Sequence, residues 1–567
     1  MSGYILGIDM NDVSTSACLA RGGELVAAAQ EERFNREKQT RRFPVKTIAW
    51  CLESNGLKLE DLDAVAVSVN PAIYLEHLSP VHSERARYRG ELLYSAPNFL
   101  LGIYRGMAAG HSRLTMEIEN GKPLDVYYIR HHDAHSATAY YPSPYEEAAI
   151  LTADAFGEKE TTVWFRGTGN RIVRLRAAEF PYSIGCFYAA MTEFLGFRSF
   201  HEEWKLMGAS AYGDPERFFG ALSRLIGVDS DGGLFMDLDY FNHYQFHRPG
   251  MFSRKLVGLL GESYREDSER DARFFDIAAA AQLTLERVMF DLLNRFQKET
   301  GLKNLCLSGG VAMNCVMNGK IREETPFENI FIPPMPDDSG TSIGAALATA
   351  RLIDPEASTS PMTHNNLGPQ YDDRQIEEVL KLAKVPYEKP PDPAQKAAEL
   401  LSAGRIVGWF QGRMEFGERA LGNRSILADP RDPQMKDRLN ACVKFREHFR
   451  PFAPAILADH QAEWFDCGTH VYFMEKASRV REKKRNRIPS VVHQDGTARL
   501  QTVTKESNPL FYELIKAFHK LAGVPVVLNT SFNLQGEPIV MTPRDALRTF
   551  YSCGIDDLII GPFYIAK

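Results

Sequence analysis

The chain opens with three strand-length runs in which apolar residues dominate, Tyr4 to Asp9, Ser16 to Ala20 and Glu24 to Gln30, joined by Asn11-Asp12 and Arg21-Gly-Gly23. Such runs separated by turn-forming residues predict an antiparallel meander, a start unlike that of a Rossmann domain. Farther on the pattern changes to alternating helix and strand: Val45 to Ser54 then Ala64 to Val69, and Phe274 to Thr300 then Asn304 to Ser308. In the long helix Ile277, Ala281, Leu285, Val288, Leu292 and Phe296 recur at three and four residues, so one apolar stripe packs on a sheet. Together these patterns predict a mixed α/β fold.

A polar, proline-bearing stretch from Asp354 to Pro369 divides the pattern. It predicts a first domain over 1–353, a linker over 354–369 and a second domain over 370–567. The second begins with a helix, Ala394 to Ala403, and a strand, Ile406 to Phe410. No internal repeat or low-complexity tract is legible.

With 567 residues and 44% hydrophobic content the chain can bury large cores. It lacks an apolar run of about 18 residues and an opening of secretory type, so a soluble protein of the cytoplasm, away from membranes, is expected. The eight cysteines form no CxxC pair, which argues against zinc ribbons and a disulfide framework. A net charge of −7 gives no general attraction to nucleic acid. The basic run Arg479 to Arg487 is interrupted by Glu482 and carries no interleaved aromatics, so it is expected to be a solvated loop.

Against that background, Gln411 to Ser425 sets Arg413, Arg419 and Arg424 among glycines, and Lys444 to Pro454 adds further cations. Guanidinium forks and glycine-exposed N–H groups suit phosphate or carboxylate. His131 and His135 stand four apart after the apolar strand Val126 to Ile129, a spacing that puts both on one helix face. Asp154 at a strand end and Asp338 in a turn would complete a shell, and mixed imidazole and carboxylate ligands favour iron, manganese or zinc over magnesium. The glycine-led turn Ser308-Gly309-Gly310 and the nearby Asn314 suit a nucleotide, although close helix packing calls for the same glycines. Asn529 to Asn533 follows a strand with hydroxyl and amide groups fit to orient a small amide-like group, or simply to close a polar turn.

Taken in order, Gln30 to Lys38, His131-xxx-His135, Asp154 with Gly157-Glu158, Lys205 to Gly208, Ser308 to Gly310, Asp338, Arg413 to Ser425, Lys444 to Pro454, His493 to Val503 and Asn529 to Asn533 resemble the NodU/CmcH/TobZ O-carbamoyltransferases. That resemblance implies an actin-like ATPase-fold N-terminal domain and a YrdC-like C-terminal domain. In the second, carbamoyl phosphate and ATP with Mg2+ would give carbamoyl adenylate, with Lys38, Arg419, Lys444 and Arg450 as catalytic cations. Arg413, Arg499, Asn529 and Ser531 would bind the same reactants. In the first, a divalent metal, Fe2+ foremost and Mn2+ or Zn2+ as alternatives, would sit on His131, His135, Asp154 and Asp338. Ser308, Gly309, Gly310 and Asn314 would hold the adenylate while a hydroxyl of a small-molecule acceptor, a natural product, takes the carbamoyl group. Asp12 would orient or deprotonate that hydroxyl, since Asn11 stands where relatives often carry His. Gln39 and Ala155 depart from the family pattern too, and the acceptor pocket would draw on Pro71 to Leu114 and Asp229 to Arg273. A homodimer is among the assemblies the resemblance allows. The alternatives are a tRNA threonylcarbamoyl-type enzyme, which calls for a basic RNA-binding face, a non-catalytic nucleotide-binding protein, and a sugar kinase, which has no use for the C-terminal domain.

Overall fold

The computed structural model describes residues 3–10, 14–70, 111–118, 121–245, 250–445 and 449–567. Asn11, Asp12 and most of the expected acceptor segment Pro71 to Leu114 lie outside the described residues. Two compact units emerge, one of Met1–Glu31 with Arg41–Met362 and one of Glu32–Thr40 with Thr363–Lys567. The 32–40 segment, grouped by sequence with the first domain, therefore packs in the second unit. Arg33 Nη2 donates to the Gly417 carbonyl at 2.9 Å, and Arg36 donates to the Pro538 and Ile539 carbonyls at 2.9 and 2.7 Å.

In the first unit the predicted meander forms as β1 (Tyr4–Asp9), β2 (Ser16–Arg21) and β3 (Glu24–Gln30), paired antiparallel. β1 then pairs in parallel with β4 (Leu62–Val67), and β4 with β6 (Leu124–Ile129), while β5 (His111–Met116) closes the edge. A second sheet repeats the plan. β7 (Glu147–Ala153), β8 (Glu160–Thr168) and β9 (Arg171–Glu179) are antiparallel, and β7 continues in parallel to β12 (Asn304–Ser308) and β13 (Asn329–Phe331). A small antiparallel pair, β10 (Ile226–Val228) and β11 (Leu234–Met236), stands apart. Leaving aside β5, both large sheets run in the order 3-2-1-4-5, a duplicated plan in keeping with the expected actin-like architecture.

Asp271 caps the long helix Ala272–Thr300 by accepting the Phe274 N–H, and Gly301 ends it in the left-handed region at φ 67°. Its predicted stripe from Ile277 to Phe296 is buried throughout. The helix Thr341–Ile353 packs on both β1 and the helix His131–Tyr140. Contact is close because Gly344 faces the second helix, where a Cβ would fall 1.8 Å from the Ala134 carbonyl oxygen.

The second unit is built on a seven-stranded mixed sheet. Its order is β20 (Gln501–Val503), β16 (Ala453–Leu457), β21 (Val526–Ser531), β15 (Arg424–Ala428), β14 (Val407–Phe410), β22 (Asp557–Ile560) and β23 (Phe563–Ala566). The helices Pro393–Ser402 and Pro509–Ala522 pack against each other, and their apolar faces share one core with Trp409, Ile426 and Leu528. A three-stranded sheet, β17 (Phe465–Asp466), β18 (Ala477–Val480) and β19 (Thr497–Arg499), flanks it. The expected basic loop instead contains a short helix, Glu482–Arg485, with Lys484 over the Trp464 ring at 4.7 Å from its centroid.

Candidate active site

The helix His131–Tyr140 leaves β6 and carries His131 and His135 one turn apart on a buried face. Asp154 follows β7, and Asp338 opens the turn before the helix Thr341–Ile353. Four donor atoms from these stretches lie within 4.8 Å of one another. His135 Nε2 is 3.0 Å from both His131 Nε2 and Asp154 Oδ2. The separations from His131 Nε2 to Asp154 Oδ2, and from each Nε2 to Asp338 Oδ1, are 3.4 Å. Donors bound to one ion at about 2.1 Å stand about 3.0 Å apart in an octahedron and about 3.4 Å in a tetrahedron. The four residues therefore fit a cation, and the two-imidazole, two-carboxylate set belongs to transition-metal chemistry.

The surroundings orient these ligands. Ser308 Oγ donates to the Pro336 carbonyl at 3.0 Å, so it accepts from His135 Nδ1–H at 3.2 Å, and His135 Nε2 is left with its lone pair toward the other donors. Glu158, buried, accepts the His131 N–H at 2.9 and 3.1 Å and the Asn70 N–H at 2.8 Å, anchoring the start of the histidine helix. His132, next to the first ligand, is spent on Thr152 Oγ1 and the Glu160 carbonyl. Burial disfavours charge throughout the cluster, yet Asp338 and Asp154 hold His131 well above the usual imidazole range. Burial likewise opposes ionisation of Asp154, but His131 and His135 hold it well below the carboxylate range. A divalent ion held by these four residues would bind the neutral imidazoles and release any proton they carry.

Ser308 ends β12 opposite Thr152 on β7, so the Ser308-Gly309-Gly310 turn and Asp154 meet at the carboxyl ends of adjacent parallel strands. That is where ligands bind in open α/β sheets. Gly309 has φ 94°, and a Cβ there would meet the Ala153 carbonyl oxygen at 2.1 Å. Asn314 caps the helix Cys315–Glu324 through Met317 N–H, and its amide exchanges hydrogen bonds with Gln282 at 2.8 and 3.0 Å. Its amide is thus engaged by Gln282 and by the start of that helix.

In the second unit the arginines divide. Arg424 is fully buried on β15 opposite Phe410, stacks on that ring at 3.7 Å, and donates to the carbonyls of Gln411, Gly412, Asn423 and Pro369. Burial pulls its pKa down to about 10. Arg413 likewise reaches the Gly368 and Leu367 carbonyls, at 3.2 and 2.6 Å. Arg419, half-buried on the loop between them, makes no hydrogen bond or ion pair among the described residues. Glu415 fixes that loop, its Oε1 accepting N–H from Leu421, Asn423 and Arg424 at 2.7, 2.8 and 3.3 Å. Lys38 sits in the fields of Glu418, Glu32, Arg450 and Arg33, with burial lowering its pKa. Lys444 Nζ donates to the Ser531 carbonyl at 2.5 Å and to Asn533 O and Oδ1 at 3.0 Å. Arg499 ends β19 and lies in the field of His493, while Asn529 and Ser531 share one face of β21.

The comparisons with known proteins agree with this layout. Residues 4–347 match the family model described as carbamoyltransferase N-terminus, and residues 398–567 match carbamoyltransferase C-terminus. The chain belongs to the carbamoyltransferase family. This carbamoyltransferase is 36% identical to an uncharacterized protein of Synechocystis sp., over 100% of its own length and 97% of the relative's. It is also 36% identical to the nodulation protein NolNO of Sinorhizobium fredii, over 97% of its own length and 78% of the relative's. Among solved structures, component A of (R)-2-hydroxyglutaryl-CoA dehydratase from Acidaminococcus fermentans aligns at 15% identity and a TM-score of 0.32, over 62% of this chain and 99% of that one. The family resemblance drawn from the motifs thus extends along the whole carbamoyltransferase. Glu158 was named among the motifs without a role, and two further organisers lie inside motif stretches without a diagnostic spacing of their own: Glu415, and Gln501, whose Nε2 donates to the Leu421 carbonyl at 2.8 Å.

Proposed function

We propose that this carbamoyltransferase works in two steps: it forms carbamoyl adenylate from carbamoyl phosphate and Mg2+-bound ATP in the second unit, then passes the carbamoyl group to a hydroxyl of a small molecule in the first. The observation that carries the reading is the convergence of His131, His135, Asp154 and Asp338 within 4.8 Å in a chain that also bears the cationic loop around Arg419. In the first step water cleaves carbamoyl phosphate to carbamate and inorganic phosphate, and a carbamate oxygen attacks the α-phosphorus of ATP as the bond to pyrophosphate breaks. Both reactants are anions, so Arg419, Lys38, Arg450 and Lys444 act by lowering their repulsion and aligning them. Lys444, already seated on Ser531 and Asn533, offers a point charge of fixed position.

In the second step the acceptor oxygen bonds to the carbamoyl carbon, the bond to the AMP oxygen breaks, and the hydroxyl proton passes to a base, for which Asp12 is the candidate. His131, His135, Asp154 and Asp338 would hold a divalent ion, which supplies charge stabilisation for the adenylate phosphate. Ser308 keeps His135 in the ligating tautomer, and the Gly309-Gly310 turn, held by the Gly309 N–H donating to the Pro336 carbonyl at 2.7 Å, lets the nucleotide approach at the same strand ends.

The test is pyrophosphate release from ATP with and without carbamoyl phosphate, in the intact chain and in Arg419→Ala. Release that requires carbamoyl phosphate and falls about 100-fold or more in the variant is expected. Release independent of carbamoyl phosphate, or none, rejects the adenylation reading.

A further inference from the structure

Of the eight cysteines, five are buried, Cys467 and Cys553 are half-buried, and Cys442 alone is exposed. Cys442 lies in the single π-helical turn Asn440–Lys444, two residues before Lys444, and Cys553 lies just beyond the helix Pro543–Tyr551. The two stretches are joined, because the Gly554 N–H donates to the Cys442 carbonyl at 2.8 Å. With planar trans peptides that bond holds the Cα atoms of Cys442 and Cys553 no more than about 7 Å apart, inside the limit for a disulfide. Contact continues at the side chain: a Cβ at Gly554 would fall 2.6 Å from Cys442 Cβ, an approach that only glycine allows. Cys553 Sγ donates to the Thr549 carbonyl at 3.1 Å, the weak bond of a thiol, and Lys567 Nζ donates to the Cys553 carbonyl. Burial pushes the Cys553 thiol up against the opposing fields of Lys567 and Lys444, and the field of Cys442 reaches it as well.

We propose that Cys442 and Cys553 form a reversible disulfide that fixes the Lys444 turn in a less active setting. The oxidant is a small disulfide of the solvent, of the class of glutathione disulfide, and exposed Cys442 meets it first. The Cys442 thiolate bonds to one glutathione sulfur, the glutathione S–S bond breaks, and one glutathione leaves with the electron pair and takes up a proton. Cys553 gives its proton to solvent and attacks Cys442 Sγ, and the second glutathione leaves in the same way. Two protein thiols are oxidised and one glutathione disulfide is reduced to two thiols. A bond at this exposed position stays in exchange with the thiol pool, unlike a buried structural bridge. It replaces the hydrogen bond of Cys553 to Thr549 and draws the Cys442 side chain back from solvent. Lys444 Nζ is seated on Ser531 and Asn533 from that same turn, so a pull on the turn shifts its charge. The effect on turnover rests on the adenylation reading given above; the disulfide does not.

The experiment incubates the full-length protein with glutathione disulfide and reads intact mass, and peptides after proteolysis without reductant, before and after dithiothreitol. The wild type should lose two hydrogen atoms and yield one crosslinked pair of peptides carrying Cys442 and Cys553, both changes reversed by dithiothreitol. Cys553→Ser should stop at one glutathione on Cys442, and Cys442→Ser should form no crosslink. Carbamoyl-phosphate-dependent pyrophosphate release by the oxidised wild type should fall about tenfold or more and return on reduction, while Cys442→Ser keeps its release in the oxidant. Glutathione retained on Cys442 of the wild type, or a crosslink through Cys467 instead, overturns the pairing. The Cys442 to Cys553 crosslink with unchanged release overturns the switch. Absence of carbamoyl-phosphate-dependent release in the reduced wild type rejects the adenylation reading, and the mass data alone then decide the disulfide.

Discussion

Ser308 Oγ stands 3.2 Å from His135 Nδ1 while giving its own proton to the Pro336 carbonyl. The serine thus fixes which imidazole nitrogen faces the carboxylates. Ser308→Ala removes that constraint without touching a ligand. Metal affinity, read by competition with a chelator, should fall about 10- to 100-fold with the metal stoichiometry at saturation unchanged. An unchanged affinity would mean that the histidine is held by packing alone.

Removing a ligand has a different signature. Asp154→Asn or His135→Ala should abolish tight binding of one divalent ion per chain, measured by elemental analysis after dialysis. The wild type should gain about 2.7 kcal/mol of stability when Fe2+, Mn2+ or Zn2+ is present at 100 times its Kd, and the variants should gain almost none. Stabilisation retained in Asp154→Asn would move the ion elsewhere.

Arg424 and Arg419 should separate stability from activity. Arg424→Ala leaves several turn carbonyls without donors and Phe410 without its stacked cation, so a loss of about 3 kcal/mol or more in denaturant unfolding is expected. Arg424→Lys should recover little, because an ammonium cannot reach those carbonyls as a planar fork does. Arg419→Ala should change stability by no more than about 0.5 kcal/mol while reducing carbamoyl-phosphate-dependent pyrophosphate release. Equal destabilisation by both alanine variants would give both arginines structural work.

His493 supplies a pH test. Its Nδ1 meets Thr497 Oγ1 at 3.1 Å, and burial, aided by Arg499 and Lys436, brings its pKa down to about 4. The unfolded chain therefore binds a proton there that the folded chain does not. The His493 contribution should weaken stability as pH falls from about 6.5 toward 4, and level off below. His493→Gln should flatten that part of the stability curve by about 1 to 3 kcal/mol, read as the difference between wild type and variant in urea unfolding at each pH. Parallel curves would mean that the histidine is charged in the fold.

Much of the site was legible because its chemistry has a period. The four-residue spacing of His131 and His135 and the position of Asp154 at a strand end led directly to the donor cluster. Arg424 was grouped by sequence with the anion-binding arginines, but as the first residue of β15, opposite Phe410, it points into the core, a distinction set by strand alternation rather than by composition. Glu415 and Gln501 escaped notice, and Glu158 was named without a role, because each works on backbone groups, which any residue supplies. The duplicated sheet plan was equally hidden. Equivalent strands in the two copies need only a short, continuously buried apolar run, and β1 and β7 are both such runs.

That duplication bears on how the ion would behave. The histidines follow the last parallel strand of the first sheet, Asp154 follows the first strand of the second, and Asp338 introduces the helix that packs back on β1. An ion shared by these residues is a rivet through both copies of the plan, and a motion that parts the sheets must stretch its bonds. Retention of the ion and closure of the halves are then reciprocal: whatever ligand favours a parted form weakens the hold on the ion by the same factor that the ion weakens the hold on that ligand.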